Sequence, residues 1–188
     1  MRRIVLLLAL ALLLPAKGLA SGGNYQFEGA TAAERSTVRA ALAASAFDWG
    51  IVPQRVTIHV GRYGVSHSTP QHIWLDRGLL AAGRFAWATI MDEYAHQVDF
   101  LTLDADRRAV LQQRLGASAW CYELEGIAHN ANGCERFASM LVWAYWPSKD
   151  NPYAPRSRAD ESAVMPAAAF RQLLSSLVGA PALALPRT

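Results

Sequence analysis

The residues best equipped for chemistry lie between Ala88 and Phe100, where Asp92, Glu93, His96 and Asp99 form the pattern D-E-x-x-H-x-x-D. No Gly or Pro occurs from Arg84 to Leu103, so the stretch reads as one helix. Positions four apart share a helix face, which places Asp92 and His96 one turn from each other. Glu93 looks toward the same cleft from a rotated angle, and Asp99 follows His96 by three residues. Three carboxylates and an imidazole in eight residues are costly to bury unless they are paired or bound to a cation. A catalytic zinc site usually takes three protein ligands and a water. Glu135, in the first turn of an otherwise apolar helix, is the candidate third ligand. His67, His72 and His129 are further imidazoles that could serve, and His129, six residues before Glu135, is the best placed of them.

These side chains need elements to position them. Thr31-Ala32-Ala33-Glu34 is a capping box that starts a helix running to about Phe47. From Arg55 to Val60 the chain alternates, with Val56, Ile58 and Val60 on one face and Thr57 and His59 on the other. That is a half-buried strand with His59 as a structural side chain on its face. A second short strand is expected over His72–Asp76. The central helix follows, then one from Asp104 to Leu115 ended by Gly116. Residues 117–133 read as mostly irregular. Cys134 to Trp146 reads as an apolar helix stopped by Pro147, with Trp143, Tyr145 and Trp146 packing the core. Pro166 opens a last helix to about Val178. Helices dominate, and a small sheet precedes the central helix, which is an α+β composition.

The D-E-x-x-H helix, a gap of 39 residues, and then Glu135-Arg136-Phe137-Ala138 resemble the zinc metallopeptidases whose third ligand is glutamate. These are the gluzincins, including the group similar to the catalytic domain of anthrax lethal factor. The resemblance covers Arg84 to Trp146, about a third of the chain. It implies a mainly helical, zincin-like single domain over residues 31–180, with a small antiparallel sheet before the active-site helix. It implies that Glu93 is the general base, that His96 and Glu135 are zinc ligands, and that Asp99 orients His96 or a nearby arginine. His129, Tyr122 and Tyr145 become candidate hydrogen-bond donors to the transition state. An edge strand, expected at His72–Asp76, would hold an extended peptide or protein substrate by strand addition.

One position departs from the pattern: Asp92 stands where the first histidine ligand belongs. A carboxylate can bind zinc, but Asp is shorter than His, and two anionic ligands neutralise more of the metal's charge. The bound water is then less acidified, and the preference shifts from zinc toward manganese or calcium. Three outcomes follow: a working zinc site with an unusual ligand, a site for another divalent metal, or a peptidase-like fold without catalysis. The last would be a secreted binding module using the same groove.

Composition sets the remaining bounds. The 188 residues are 52% hydrophobic and 18% charged, an ordinary globular balance. Met1-Arg2-Arg3, the apolar run Ile4–Leu14, and small residues at Gly18 and Ala20 have the layout of a signal peptide over residues 1–20. The apolar run is short for a bilayer span, so no stable membrane anchor is expected after cleavage, and the chain is expected to be secreted or periplasmic. Residues 21–30 are expected to form a flexible mature N-terminus. The chain's 18 basic residues include Arg2, Arg3 and Lys17, and without them 15 remain against 15 acids. That balance, with no basic patch interleaved with aromatics, argues against nucleic acid as a partner. Oligomeric state has no signature in the sequence. Cys121 and Cys134 allow one intramolecular disulfide, expected in an exported chain. It would pin the start of the helix that carries Glu135.

Overall fold

The computed structural model describes residues 22–179. Residues 1–20, expected to be a signal peptide, lie outside the described residues. Strand β1 (Tyr25–Glu28) leads into helix α1 (Ala32–Ala44), followed by β2 (Val56–Gly61), β3 (His67–Thr69) and β4 (His72–Asp76). Helices α2 (Arg77–Leu80), α3 (Arg84–Thr102), α4 (Ala105–Leu115), α5 (Gly133–Tyr145) and α6 (Ala167–Val178) follow. The architecture is α+β, as expected. The capping box is present: Thr31 Oγ1 accepts from Glu34 N, and Glu34 Oε2 accepts from Thr31 N.

The sheet is mixed rather than antiparallel. Its order is β1-β2-β4-β3, with β1 and β4 both parallel to β2 and only β3 antiparallel to its neighbour. Parallel neighbours need a crossover, which α1 supplies between β1 and β2. The chain then passes through β3 and turns back, so β4 inserts between β2 and β3. Pro70 and Gln71 make that turn. Gln71 takes a φ of 67°, the left-handed conformation that a type II turn requires after a proline. Two expectations fall with this topology. His72–Asp76 is an interior strand, and the edge strand is β3. Residues 25–28, inside the segment expected to be flexible, pair with β2 instead.

The alternation in β2 and β4 is realised: Val56, Ile58, Val60, Ile73 and Leu75 are buried on one face. That face and α1 pack on α3, which also contacts α5. Trp49, Phe47 and Tyr94 fill the space between them. The Cys121–Cys134 disulfide is formed and ties the irregular segment after α4 to the first turn of α5. Gly133 is required at that junction, because a Cβ there would lie 2.6 Å from the Trp120 ring. No helix among the described residues is long and apolar enough to cross a membrane.

Candidate functional site

Helix α3 carries Asp92, Glu93 and His96 to the floor of a cavity of about 460 Å³. Helix α5 meets it with Glu135 from its first turn, and the loop before α5 adds Tyr122 and His129. Ser66, His67 and Ser68, at and just before β3, form the rim. The sequence separates these groups by up to 69 residues, and the crossing of α3 with α5 beside an edge strand brings them together.

Glu135 is the hub. Its Oε2 lies 3.6 Å from His96 Nε2 and 3.2 Å from His129 Nε2, and its Oε1 accepts from the Tyr122 hydroxyl at 2.8 Å. Asp92 Oδ2 is 4.0 Å from His96 Nε2. Glu93 Oε2 accepts from Ser68 Oγ at 2.7 Å, and the same hydroxyl lies 2.9 Å from the Glu93 carbonyl. Glu161, from a short 3-10 turn over Glu161–Ala163, joins the set: it lies 2.8 Å from His129 Nδ1 and accepts from Ser139 Oγ at 2.7 Å.

Four carboxylates therefore converge, and the ion pairs found among the described residues give them two imidazoles but no lysine or arginine. Arg84 pairs with Asp150 instead, and Arg136 is spent on the carbonyls of Leu115, Gly116 and Asn130. The protonation equilibria respond. Burial, and then the charges of Glu93, Glu135 and Glu161, push the Asp92 carboxyl well above the carboxylate range, with only the Tyr153 hydroxyl opposing. Burial raises Glu93 to about 7, against the Ser68 hydrogen bond and with the help of Glu135. Burial lowers His96, favouring the neutral imidazole. At His129 burial also opposes the charge, but Glu161 and Glu135 outweigh it and the pKa is raised. Burial raises Tyr122, and its bond to Glu135 raises it further.

His96, Cys134 and Glu135 place ligand atoms within 4.8 Å of one another, a buried group with metal-binding geometry. The Cys134 sulfur is committed to the disulfide, so in the oxidised protein it is not a thiolate ligand. His96 and Glu135 remain, with Asp92 the next oxygen donor. Asp92 Oδ1 is buried and has no hydrogen-bond partner among the described residues. Orphaned buried carboxylate oxygens are rare, and a cation is one group that would satisfy this one.

Compared with known protein families, curated proteins and solved structures, the chain finds no match in any of the three.

The structure brings together Asp92, Glu93, His96, Glu135, Tyr122 and His129. It does not bring Tyr145, which is 2% exposed and packs edge-on against Phe47 in the core. Nor does it turn Asp99 toward the cavity. Arg108 Nε donates to Asp99 at 2.8 Å, and Trp120 Nε1 bonds the same carboxylate at 3.1 Å. Asp99 thus serves an arginine, one of its two expected partners. His72 bonds His59 on the outer face of the sheet. Sequence reading missed Ser68, Tyr153 and Glu161. Ser68 sits in a three-residue strand, Tyr153 in a polar loop and Glu161 at the start of a three-residue 3-10 turn, where no periodicity marks a side chain as inward-facing.

Proposed function

We propose that the chain is a metal-dependent peptidase of gluzincin-like, zincin-type architecture that acts on extended peptide segments outside the cytoplasm. The observation that carries the reading is the buried Asp92 oxygen that finds no hydrogen-bond partner among the described residues, in a cluster of carboxylates to which those residues give no lysine or arginine partner. His96, Glu135 and Asp92 would hold the ion, with zinc the first candidate and a harder divalent ion the next. A bound divalent ion supplies Lewis acidity, acidifying water and polarising a peptide carbonyl.

The remaining roles belong to the chain itself. Glu93, raised to about 7, is poised as a general base near neutral pH. Ser68 holds the Glu93 carboxylate in place from the rim. His129 and Tyr122 stand beside Glu135 as hydrogen-bond donors to a developing oxyanion. Among the described residues strand β3 has one edge unpaired beside the cavity, where an extended peptide could add as a further strand. A non-catalytic peptide-binding domain is the second reading, favoured by aspartate at the position of the first histidine.

Elemental analysis of the purified chain under metal-replete conditions tests the proposal. One equivalent of divalent metal is expected in the wild type and loss of it in Glu135→Ala. A wild type without stoichiometric metal would overturn the reading. With metal present, Glu93→Gln should keep the ion and abolish peptide hydrolysis. Metal without hydrolysis of any peptide by the wild type selects the binding domain.

A further inference from the structure

The two sulfurs of the Cys121–Cys134 bridge sit differently against the cavity. Cys121 is half-buried and lines the cavity wall, whereas Cys134 is fully buried in the first turn of α5. Cys134 Sγ lies 3.6 Å from Glu135 Oε1. A disulfide sulfur carries no proton, so this contact is not a hydrogen bond. Sulfur and oxygen ligands of one tetrahedral zinc, at about 2.3 and 2.1 Å, stand about 3.6 Å apart. His96 completes the group, with the ligand atoms of His96, Cys134 and Glu135 all within 4.8 Å of one another. Asp92, with its unpartnered oxygen, is the next donor: its Oδ2 lies 4.0 Å from His96 Nε2.

The half-buried sulfur is the one that a reductant reaches. A dithiol supplies the thiolate that attacks Cys121 Sγ; the S–S bond breaks and its electron pair leaves on Cys134 Sγ. The second thiol of the reductant then displaces Cys121 and closes the reductant's own disulfide. The reductant gives up two electrons and two protons, and the chain takes them up as two thiols. Core packing around α5 holds the freed Cys134 sulfur beside Glu135. There it faces carboxylates, to which the described residues give no lysine or arginine partner. A divalent cation displaces the thiol proton and answers both charges, and thiolate is a ligand type that selects zinc.

We infer that the Cys121–Cys134 bridge is a redox switch for the cavity: reduction frees Cys134 as a thiolate ligand, which joins Asp92, His96 and Glu135 and closes the metal site. The inference rests on the cavity being a metal site. With the bridge formed, three protein ligands leave a position for water, as in catalytic zinc sites; with it open, four fill the shell, as in structural ones. Reduction therefore tightens metal binding and stops hydrolysis. By reciprocity, bound metal makes the bridge easier to reduce.

The test is a titration of the chelator-treated full chain with Co²⁺, before and after reduction by a dithiol that is then removed without air. Thiolate ligation gives Co²⁺ a near-ultraviolet charge-transfer band that oxygen and nitrogen ligands do not. The oxidised chain should bind one equivalent without the band. The reduced chain should bind it with the band and roughly tenfold or more tightly. Cys121→Ala should show the band with no reductant, and Cys134→Ala should show none in either state. Binding by the reduced chain without the band would overturn the switch and leave the cavity metal site standing. The band in the reduced chain, with no binding by the oxidised one, would keep Cys134 as a ligand and overturn the peptidase reading instead. No binding in either state would overturn both, and a band in Cys134→Ala would overturn the assignment to Cys134. If the reduced metal-free chain unfolds, Co²⁺ should restore its helical circular dichroism together with the band. A chain that binds Co²⁺ and stays unfolded would overturn the inference.

Discussion

Two aspartates on the same helix show how differently one fold can treat one chemical group. Asp92 and Asp99 are seven residues apart on α3, two turns or about 10.5 Å along its axis. Asp99 is buried and Asp92 largely so, and burial raises the pKa of both. Asp99 is then compensated by the Arg108 guanidinium and the Trp120 indole. Asp92 meets three more carboxylates, and one of its oxygens has no hydrogen-bond partner among the described residues. The Asp99 end is a finished structural junction that ties α3 to α4 and to the loop before α5. The Asp92 end holds unbalanced negative charge beside an open cavity, which costs stability unless a proton or a cation answers it. Unbalanced charge of this kind marks a working site more often than a structural one.

The largest effect expected from this contrast is at the finished end. Arg108→Ala leaves Asp99 buried without its cation and should cost about 3 kcal/mol or more in urea unfolding. A cost below about 1 kcal/mol would show that the two ends are not different in kind. Next comes the bridge beside the cavity. Cys121→Ser with Cys134→Ser should lower stability by about 3 kcal/mol on the chain-entropy account, measured by thermal unfolding. The double variant should also weaken metal binding, because the bridge anchors the turn that holds Glu135.

Metal removal tests the unbalanced end directly. At a free metal concentration a hundred times Kd, binding should add about 2.7 kcal/mol over the chelated protein, measured by the shift in urea midpoint. Asp92→Asn should have the opposite sign to Arg108→Ala. It removes a charge without removing volume, and should stabilise the metal-free protein by about 1 kcal/mol at pH 7 while abolishing the metal-dependent gain. The sign with pH follows. A carboxyl whose folded pKa is raised penalises the fold only where the unfolded chain is ionised. The advantage of Asp92→Asn should therefore fade as the pH drops below roughly 4, where Asp92 is neutral in both states.

The smallest effect comes from a third aspartate, one that is fully satisfied. Asp76 accepts backbone N–H bonds from Tyr63, Gly64, Gly78 and Leu79, which hold its carboxyl below the usual range. A depressed folded pKa gives stability that is present above the unfolded pKa and lost as pH falls through the folded one. Asp76→Asn should therefore lower Tm at neutral pH, and the difference from wild type should close in strong acid. A difference that persists there would mean that the turn geometry, not the charge, is what Asp76 supplies.

Much of this was legible before any tertiary contact. The capping box at Thr31, the alternation of Val56, Ile58 and Val60, the uninterrupted helix around His96 and the apolar α5 all appear as read. The one possible cysteine pairing is the one formed. The failures have a shared cause. Strands β1 and β3 have four and three residues, too few for a period of two to declare itself. With them unseen, the sheet could be taken as antiparallel and His72–Asp76 as its edge. Helix α5 turns Tyr145 into the core and away from the cavity, and burial pushes its pKa up to about 12.

The sequence alone determined what local geometry fixes: which residues share a helix face, where helices start, and that Asp92, Glu93 and His96 lie close together. Spacing along a helix is set by covalent structure and the 3.6-residue turn, so no distant contact can change it. Only the tertiary structure decided which carboxylate is answered and by what. Arg108 and Trp120 reach Asp99, while Glu135, Glu161 and Tyr153 close around Asp92. Those partners come from separate elements and meet only when the helices pack. A buried charge takes its energy from whatever lies within a few ångströms, whatever the distance along the chain.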